Sequence, residues 1–484
     1  MKRKRLMTVL IALATLLPGT VFARDDEAFS RALERQMVVN RERHGIAGQA
    51  LLVARDGRVV FRGVDGEANV DTRRRVASDD IFPVYSLAKL FTSTLIMQLV
   101  EKGQVDLDTP ASAYLPGLPA AWRTIAVRDF LDHTSGVPEY IDNRNGAGAA
   151  ADTVFAPDLA DVFTSLADRP MQFAPGTDTR YTQTNYLVLA ALLEARYGMP
   201  YPRIAEKRIL RRLGMRHTWL GPAGLPRRGV VTSYIGKAGR LQEEKDLAWP
   251  AYAYGHAGLY LTLDDLGRFL RAMSSGELVG KATLRRLWQP RTLPGGKRAW
   301  FAAGWEYGES DGYRQVGHDG GTRVRVRIVF KDSLDEDVHA FAYLTNGSVR
   351  NVWSRMLMDS AMGAAAPDRF PAEALSETLV AYALRAPAEG DVQTMARSIR
   401  AGSVRDAAER ERIVNNTGYA VRENLGVDAA LRVFELNTVL FPASANVWDS
   451  LAEAHAAKGD MDEAKALRDK ARRLAAPADE RPLR

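Results

Sequence analysis

A chain of 484 residues without a single cysteine excludes disulfides, cysteine nucleophiles, thiolate metal sites and a lipid-modified cysteine anchor. Its formal charge of +7 is spread along the chain with no basic-aromatic cluster, which argues against nucleic acid and leaves anionic envelope surfaces, or solubility alone, as the reason for it. Seven scattered histidines show no metal-ligand spacing, so neither a metal nor another cofactor is expected, and the length predicts more than one domain.

The chain opens on the basic run Met1 to Arg5, an apolar run Leu6 to Leu17 and a small residue at Ala23 before Arg24-Asp25-Asp26-Glu27. This pattern predicts a secretory signal peptide over 1–23, cleaved after Ala23, with an apolar core too short to remain as a span. A periplasmic or secreted protein with no stable membrane anchor after cleavage is the expectation. Asp26 to Arg43 reads as an amphipathic helix, and Gln49–Val53 with Val59–Gly63 reads as a hairpin turned at Arg55-Asp56-Gly57. The alternation in these strands is that of an antiparallel sheet, so the fold opens as α+β.

Next comes Val84-Tyr85-Ser86-Leu87-Ala88-Lys89-Leu90-Phe91. Pro83 resists a preceding helix, and the run from Ser86 to Leu99 is apolar and unbroken until Gly103, which places Ser86 and Lys89 on one helix face. No other serine in the chain has a lysine three residues on. A serine hydroxyl needs a base, and lysine becomes one when burial lowers its pKa. The first turn of a helix also presents unpaired N–H groups to a developing oxyanion. Taken alone, the tetrad fits an N-cap serine and a surface lysine equally well.

Further along, Leu131-Asp132-His133-Thr134-Ser135-Gly136-Val137-Pro138 ends a helix in a loop that either borders a cleft or only connects, and Asn143 to Ala151 is a glycine- and alanine-rich stretch expected to be mobile. Pro175-Gly176 leads into Tyr181-Thr182-Gln183, with a helix from about Asn185 to Tyr197. Tyr181 either packs or, with a lysine beside it favouring the phenolate, shuttles a proton. Gly317-His318-Asp319-Gly320-Gly321 then precedes Arg323 to Phe330, where arginines alternate with Val324, Val326 and Ile328 as in a half-buried strand, and Val338 to Leu344 reads as its antiparallel neighbour. Charge from Arg323, Arg325 and Arg327 near a substrate is an open alternative to a merely polar strand face.

Ser86-Leu87-Ala88-Lys89, Tyr181-Thr182-Gln183 and His318-Asp319-Gly320, in that order, resemble the three signature elements of the serine β-lactamase and penicillin-binding-protein superfamily, most of all the class C β-lactamases and their esterase and D-peptidase relatives. The similarity runs from about Ala28 to Gly347 and includes His133-Thr134-Ser135-Gly136, Gly255-His256-Ala257-Gly258 and Gly304-Trp305. It implies a β-lactamase/transpeptidase-like antiparallel sheet flanked by helices with a helical lobe. It also implies Ser86 as acylated nucleophile, Lys89 as its activator and Tyr181 as proton shuttle. His318 would orient Tyr181 or a substrate carboxylate, with His256 as the less favoured alternative. The oxyanion hole would be the N–H groups of Ser86 and Gly321, beside Gly320. Where the family has Tyr-x-Asn this chain has Tyr-Thr-Gln, so Gln183 supplies the amide on a longer arm or Asn185 substitutes. The histidine of the third motif points to an esterase or peptidase ahead of a β-lactamase.

Beyond the small residues and prolines at Ala364–Phe370, the chain loses its strand signals. The expected organisation is a hydrolase domain over 24–365, a helical linker over 366–410 and a small all-α, tetratricopeptide-like region over 411–484. In that last region Phe441-Pro442 and Gly459-Asp460 mark turns, and there are too few repeats to stand alone. Those helices would dock a partner protein or stabilise the hydrolase. The sequence thus predicts an exported serine hydrolase acting on a small ester, a D-amino-acid peptide, cell-wall-derived or not, or a β-lactam-like substrate. The competing expectation is a penicillin-binding sensor or scaffold with little turnover that acts through its C-terminal helices.

Overall fold

The computed structural model describes residues 18–141, 153–221, 229–245, 247–310, 312–386, 388 and 390–475. Most of the expected signal peptide and the glycine-rich stretch after Asp142 lie outside the described residues. Among the described residues no helix is long and apolar enough to cross a membrane.

An eight-stranded antiparallel sheet forms the centre, confirming the α+β expectation. From one edge its order is Arg74–Arg75, Arg58–Asn69, Gly48–Arg55, His339–Thr345, Val324–Phe330, Tyr313–Gly320, Trp305–Ser310 and Phe301–Ala302. The expected hairpin turns at Asp56 and Gly57, both at positive φ (49° and 77°), which matches the twist of the strands it joins. Its first strand then pairs with the last, Ala50 opposite Leu344 and Val53 opposite Phe341, so chain segments far apart in sequence close one sheet.

The two faces bury different cores. One carries Val316, Val324, Val326 and Ile328 against the helix Ala88–Glu101, whose Leu90, Phe91 and Leu95 are at most 1% exposed. Each such side chain contributes roughly 1.5–3 kcal/mol through burial, and together they hold the first turn of that helix in place. The other face carries Leu51, Val53, Val329, Phe341 and Tyr343 against Leu33 and Met37 of the helix Pro18–His44 and against the helix Ser354–Ala365.

The C-terminal helices Pro371–Leu384, Asp391–Ala401, Ala407–Leu425, Val427–Leu440, Ala445–Lys458 and Met461–Ala475 extend this second core through Leu379, Val414, Val421 and Phe434. Phe441-Pro442 and Gly459-Asp460 fall between helices, as expected.

The alternating strand departs from expectation. Val324–Phe330 is buried on both faces, with Arg325 and Arg327 at 6% and 5% exposure. A half-buried strand would leave its arginines in water. Here helices cover that face, and the guanidiniums are neutralised by Asp319 and Glu306 instead.

Candidate active site

Backbone constraints converge just before Ser86. A small sheet pairs Ile81–Pro83 with Leu259–Thr262, and the Val84 N–H donates to the Leu259 carbonyl at 3.0 Å. From the main sheet Gly320 comes so close that a Cβ there would lie 2.5 Å from the Val84 carbonyl oxygen. Tyr85 follows at φ +46°, a conformation a bulky side chain adopts only when its surroundings impose it. Ser86 therefore sits in a short 3₁₀ turn, Tyr85–Leu87, feeding directly into Ala88–Glu101.

Lys89 is no surface residue: its exposure is 0%. Its Nζ lies 3.2 Å from Ser86 Oγ, 2.6 Å from Gln183 Oε1 and 3.5 Å from the His256 carbonyl oxygen. Burial pulls its pKa down to about 7, with the charge of Glu139 pulling the other way. A neutral amine then donates to Gln183 and His256 and keeps its lone pair for the serine proton.

Tyr181 stands over this pair, its ring 4.9 Å from Lys89 Nζ, 4.5 Å from the His133 ring and 5.8 Å from the His318 ring. Burial raises the phenol well above its ordinary range, and the Ser86 hydroxyl opposes that rise only in part. The expectation that the lysine would favour phenolate therefore fails, because desolvation wins and the resting group is a neutral phenol. Its hydroxyl is buried, with the Ser86 hydroxyl beside it.

His318 holds its Nδ1 2.6 Å from the Asp319 carbonyl oxygen, which accepts only, so Nδ1 carries the proton and Nε2 presents a buried lone pair. Burial keeps the ring neutral. Gly321, at φ +56°, lies against the Tyr85 ring. His256 stands elsewhere, its Nε2 2.8 Å from the Tyr140 hydroxyl and its carbonyl toward Lys89.

Of the two amides, only Gln183 reaches Lys89. Asn185 bonds Ser135 Oγ and, at 3.0 Å, His133 Nδ1. The three arginines also separate: Arg323 bonds Tyr85 and Glu244, whereas Arg325 and Arg327 lie on the opposite sheet face.

Two residues gain a place that the sequence left undecided or unnoticed. His133, at φ +56°, accepts from the Thr182 N–H at 3.1 Å and packs on Tyr181, so its loop borders the site. Glu139, six residues on in the same loop, accepts from the N–H groups of Gln183, Tyr140 and Ile141, and burial raises its pKa against those hydrogen bonds. An acidic residue in a Gly/Pro-bearing loop was the only signal for it.

A buried serine–lysine pair at the head of a helix on an antiparallel sheet is an arrangement in which a neutral lysine can take a serine proton. The Beta-lactamase family model matches residues 29–354, and the chain belongs to that family. Among curated relatives it is 28% identical over 353 residues to penicillin-binding protein 4 of Amycolatopsis lactamdurans, covering 68% of this chain and 89% of that one. It is 31% identical over 283 residues to a D-aminopeptidase of Brucella anthropi, covering 57% of this chain and 52% of that one, so it spans about half the length of the D-aminopeptidase. Among solved structures, D-amino acid amidase from Ochrobactrum anthropi SV3 superposes with a TM-score of 0.57 at 21% identity over 72% of this chain and 99% of that one. The chain is a serine hydrolase of this family.

Proposed function

We propose that the protein is exported and cleaves an ester or amide bond through an acyl-enzyme on Ser86. The observation that carries this reading is Lys89 Nζ at 3.2 Å from Ser86 Oγ with its pKa drawn down to about 7. In the proposed reaction Ser86 Oγ bonds to the substrate carbonyl carbon as its proton passes to Lys89. The N–H groups of Ser86 and Gly321 receive the oxyanion. When the C–N or C–O bond breaks, Tyr181 protonates the departing group and recovers a proton from Lys89. Water then attacks the acyl carbon as the neutral Lys89 amine takes its proton, and Lys89 returns that proton to Ser86 Oγ as the ester bond breaks and the acid leaves. His318 presents its Nε2 lone pair toward Tyr181 or the substrate, and Gln183 holds Lys89.

Among the candidate substrates, D-amino-acid peptides and amides are favoured by the names of the D-aminopeptidase and D-amino acid amidase relatives. Small esters come next and β-lactams last, because histidine stands in the third motif. The basic and apolar pattern of residues 1–23 supports a cleaved leader and a periplasmic or secreted location. A penicillin-binding sensor with little turnover, working through tetratricopeptide-like helices, is the second reading, favoured by glutamine in place of the family's second-motif asparagine.

The test is intact-mass spectrometry of the purified protein after a fluorophosphonate and, separately, a penicillin, beside Ser86→Ala. One adduct that disappears in the variant, with steady release of a chromogenic ester product, is the expected result. A burst without turnover supports the sensor, and no adduct on a folded protein overturns both.

A further inference from the structure

On the sheet face opposite Ser86, Asp319, Arg325 and Arg327 point toward the helix Ser354–Ala365. Asp319 takes Arg325 at 2.7 and 2.9 Å, Arg327 at 3.1 Å and Arg355 at 3.4 Å, so three guanidiniums share one carboxylate. Arg327 also bonds Glu306. Burial alone would raise the Asp319 pKa, and the three arginines outweigh it and hold the carboxyl well below its ordinary range. Asp359 adds a further carboxylate beside these arginines, while burial and the neighbouring Arg325 both weaken the hold of Arg327 on its own proton.

Arg325, Arg327, Arg355 and Glu306 line a cavity of about 840 Å³ at the Phe301–Ala302 edge of the sheet. Arg298 and Arg412 join the three arginines on its walls, Arg298 paired with Glu309 and Arg412 with Glu409. Arg325 is 6% exposed, yet its Nε has no acceptor. A buried guanidinium N–H left unmet is uncommon and has unused capacity for an anion. The volume lies in the range of small-molecule sites, roughly 300–1,000 Å³. A second cavity of about 540 Å³ adjoins it through Glu309, Arg355 and Arg412, and offers apolar wall from Met356, Val380 and Ile413 to an uncharged remainder.

We propose that this groove, which meets the Ser86 site at Phe301 and opens on the opposite sheet face, binds a small ligand bearing two or more oxyanion groups, as carboxylates or as phosphate. A planar, forked donor suits both, and several arginines converging from different elements favour a multiply charged ligand over a single chloride. The inference does not depend on what Ser86 does to a substrate.

The full chain would be titrated calorimetrically with citrate, succinate, inorganic phosphate and pyrophosphate at matched ionic strength, with sodium chloride as the control. Saturable binding of citrate or pyrophosphate is expected, and which of the two binds tighter identifies the source of the oxyanions. Arg355 is 57% exposed on its side chain, so Arg355→Gln should fold, and loss of one charge-assisted contact should weaken binding about tenfold or more. Ser86→Ala should bind as the parent does. Heats no larger than those of sodium chloride, an Arg355→Gln protein that binds equally well, or binding lost with Ser86→Ala would each overturn the proposal.

Discussion

Lys89 Nζ lies 2.6 Å from Gln183 Oε1, a neutral acceptor where a carboxylate would have held the proton on the amine. An amide oxygen orients the lysine without fixing its charge, which is what a base working near neutrality needs. Gln183→Ala should therefore lower kcat on a chromogenic ester by about 10–100-fold, equivalent to roughly 1.4–2.7 kcal/mol, with Gln183→Asn recovering only part because its arm is shorter. Steady-state kinetics on the folded variants decide this, and an unchanged kcat would remove Gln183 from the site.

The pH profile follows from the same lysine. A base whose pKa has fallen to about 7 is protonated and inactive below that value, so kcat/KM should rise with pH through about 7. Glu139 is the group that raises the Lys89 pKa, so in Glu139→Gln the ammonium loses a favourable charge and the acid limb should move to lower pH. A limb that stays in place, measured over pH 5–9 on active variant, would show that another group titrates.

Gly320→Ala should damage both fold and activity. A Cβ there would meet the Val84 carbonyl oxygen at 2.5 Å, and that backbone positions Ser86. Relief requires the strand and the 3₁₀ turn to part, at about 1–3 kcal/mol. Thermal melting and the rate of fluorophosphonate labelling should fall together, and a variant with the parent's labelling rate would refute the coupling.

Deletion of residues after 365 tests whether the hydrolase region stands alone. Leu379, Val414, Val421 and Phe434 share one core with Val329, Phe341 and Tyr343 of the sheet, so the truncated chain would expose that core to water. The expected product is aggregated or unfolded by size-exclusion chromatography and circular dichroism. A monomeric, cooperatively folding fragment would instead establish an independent domain over 24–365.

Much of this was legible in the residues. Ser86 and Lys89 are three apart on an apolar helix, so local geometry alone brings them together. The hairpin at Asp56-Gly57 and the alternation from Val324 to Ile328 are likewise local signals, readable because strand and turn preferences act over a few residues. The order of the three motifs carried the family, and the opening helix, hairpin and strand alternation carried the α+β class.

Long-range packing decided the rest. Gln183 and Asn185 carry the same amide two residues apart, and only the approach of their helix to Lys89 on one side and His133 on the other assigns them different partners. Tyr181 looked activatable by a neighbouring lysine, but its ionisation depends on how completely His133, Phe301 and His318 exclude water from it. Arg325 and Arg327 read as solvated because alternation reports that a strand has two faces, not what covers the second one. Burial, pKa and cavity are properties of neighbours that the chain brings from hundreds of residues away, and no local pattern encodes them.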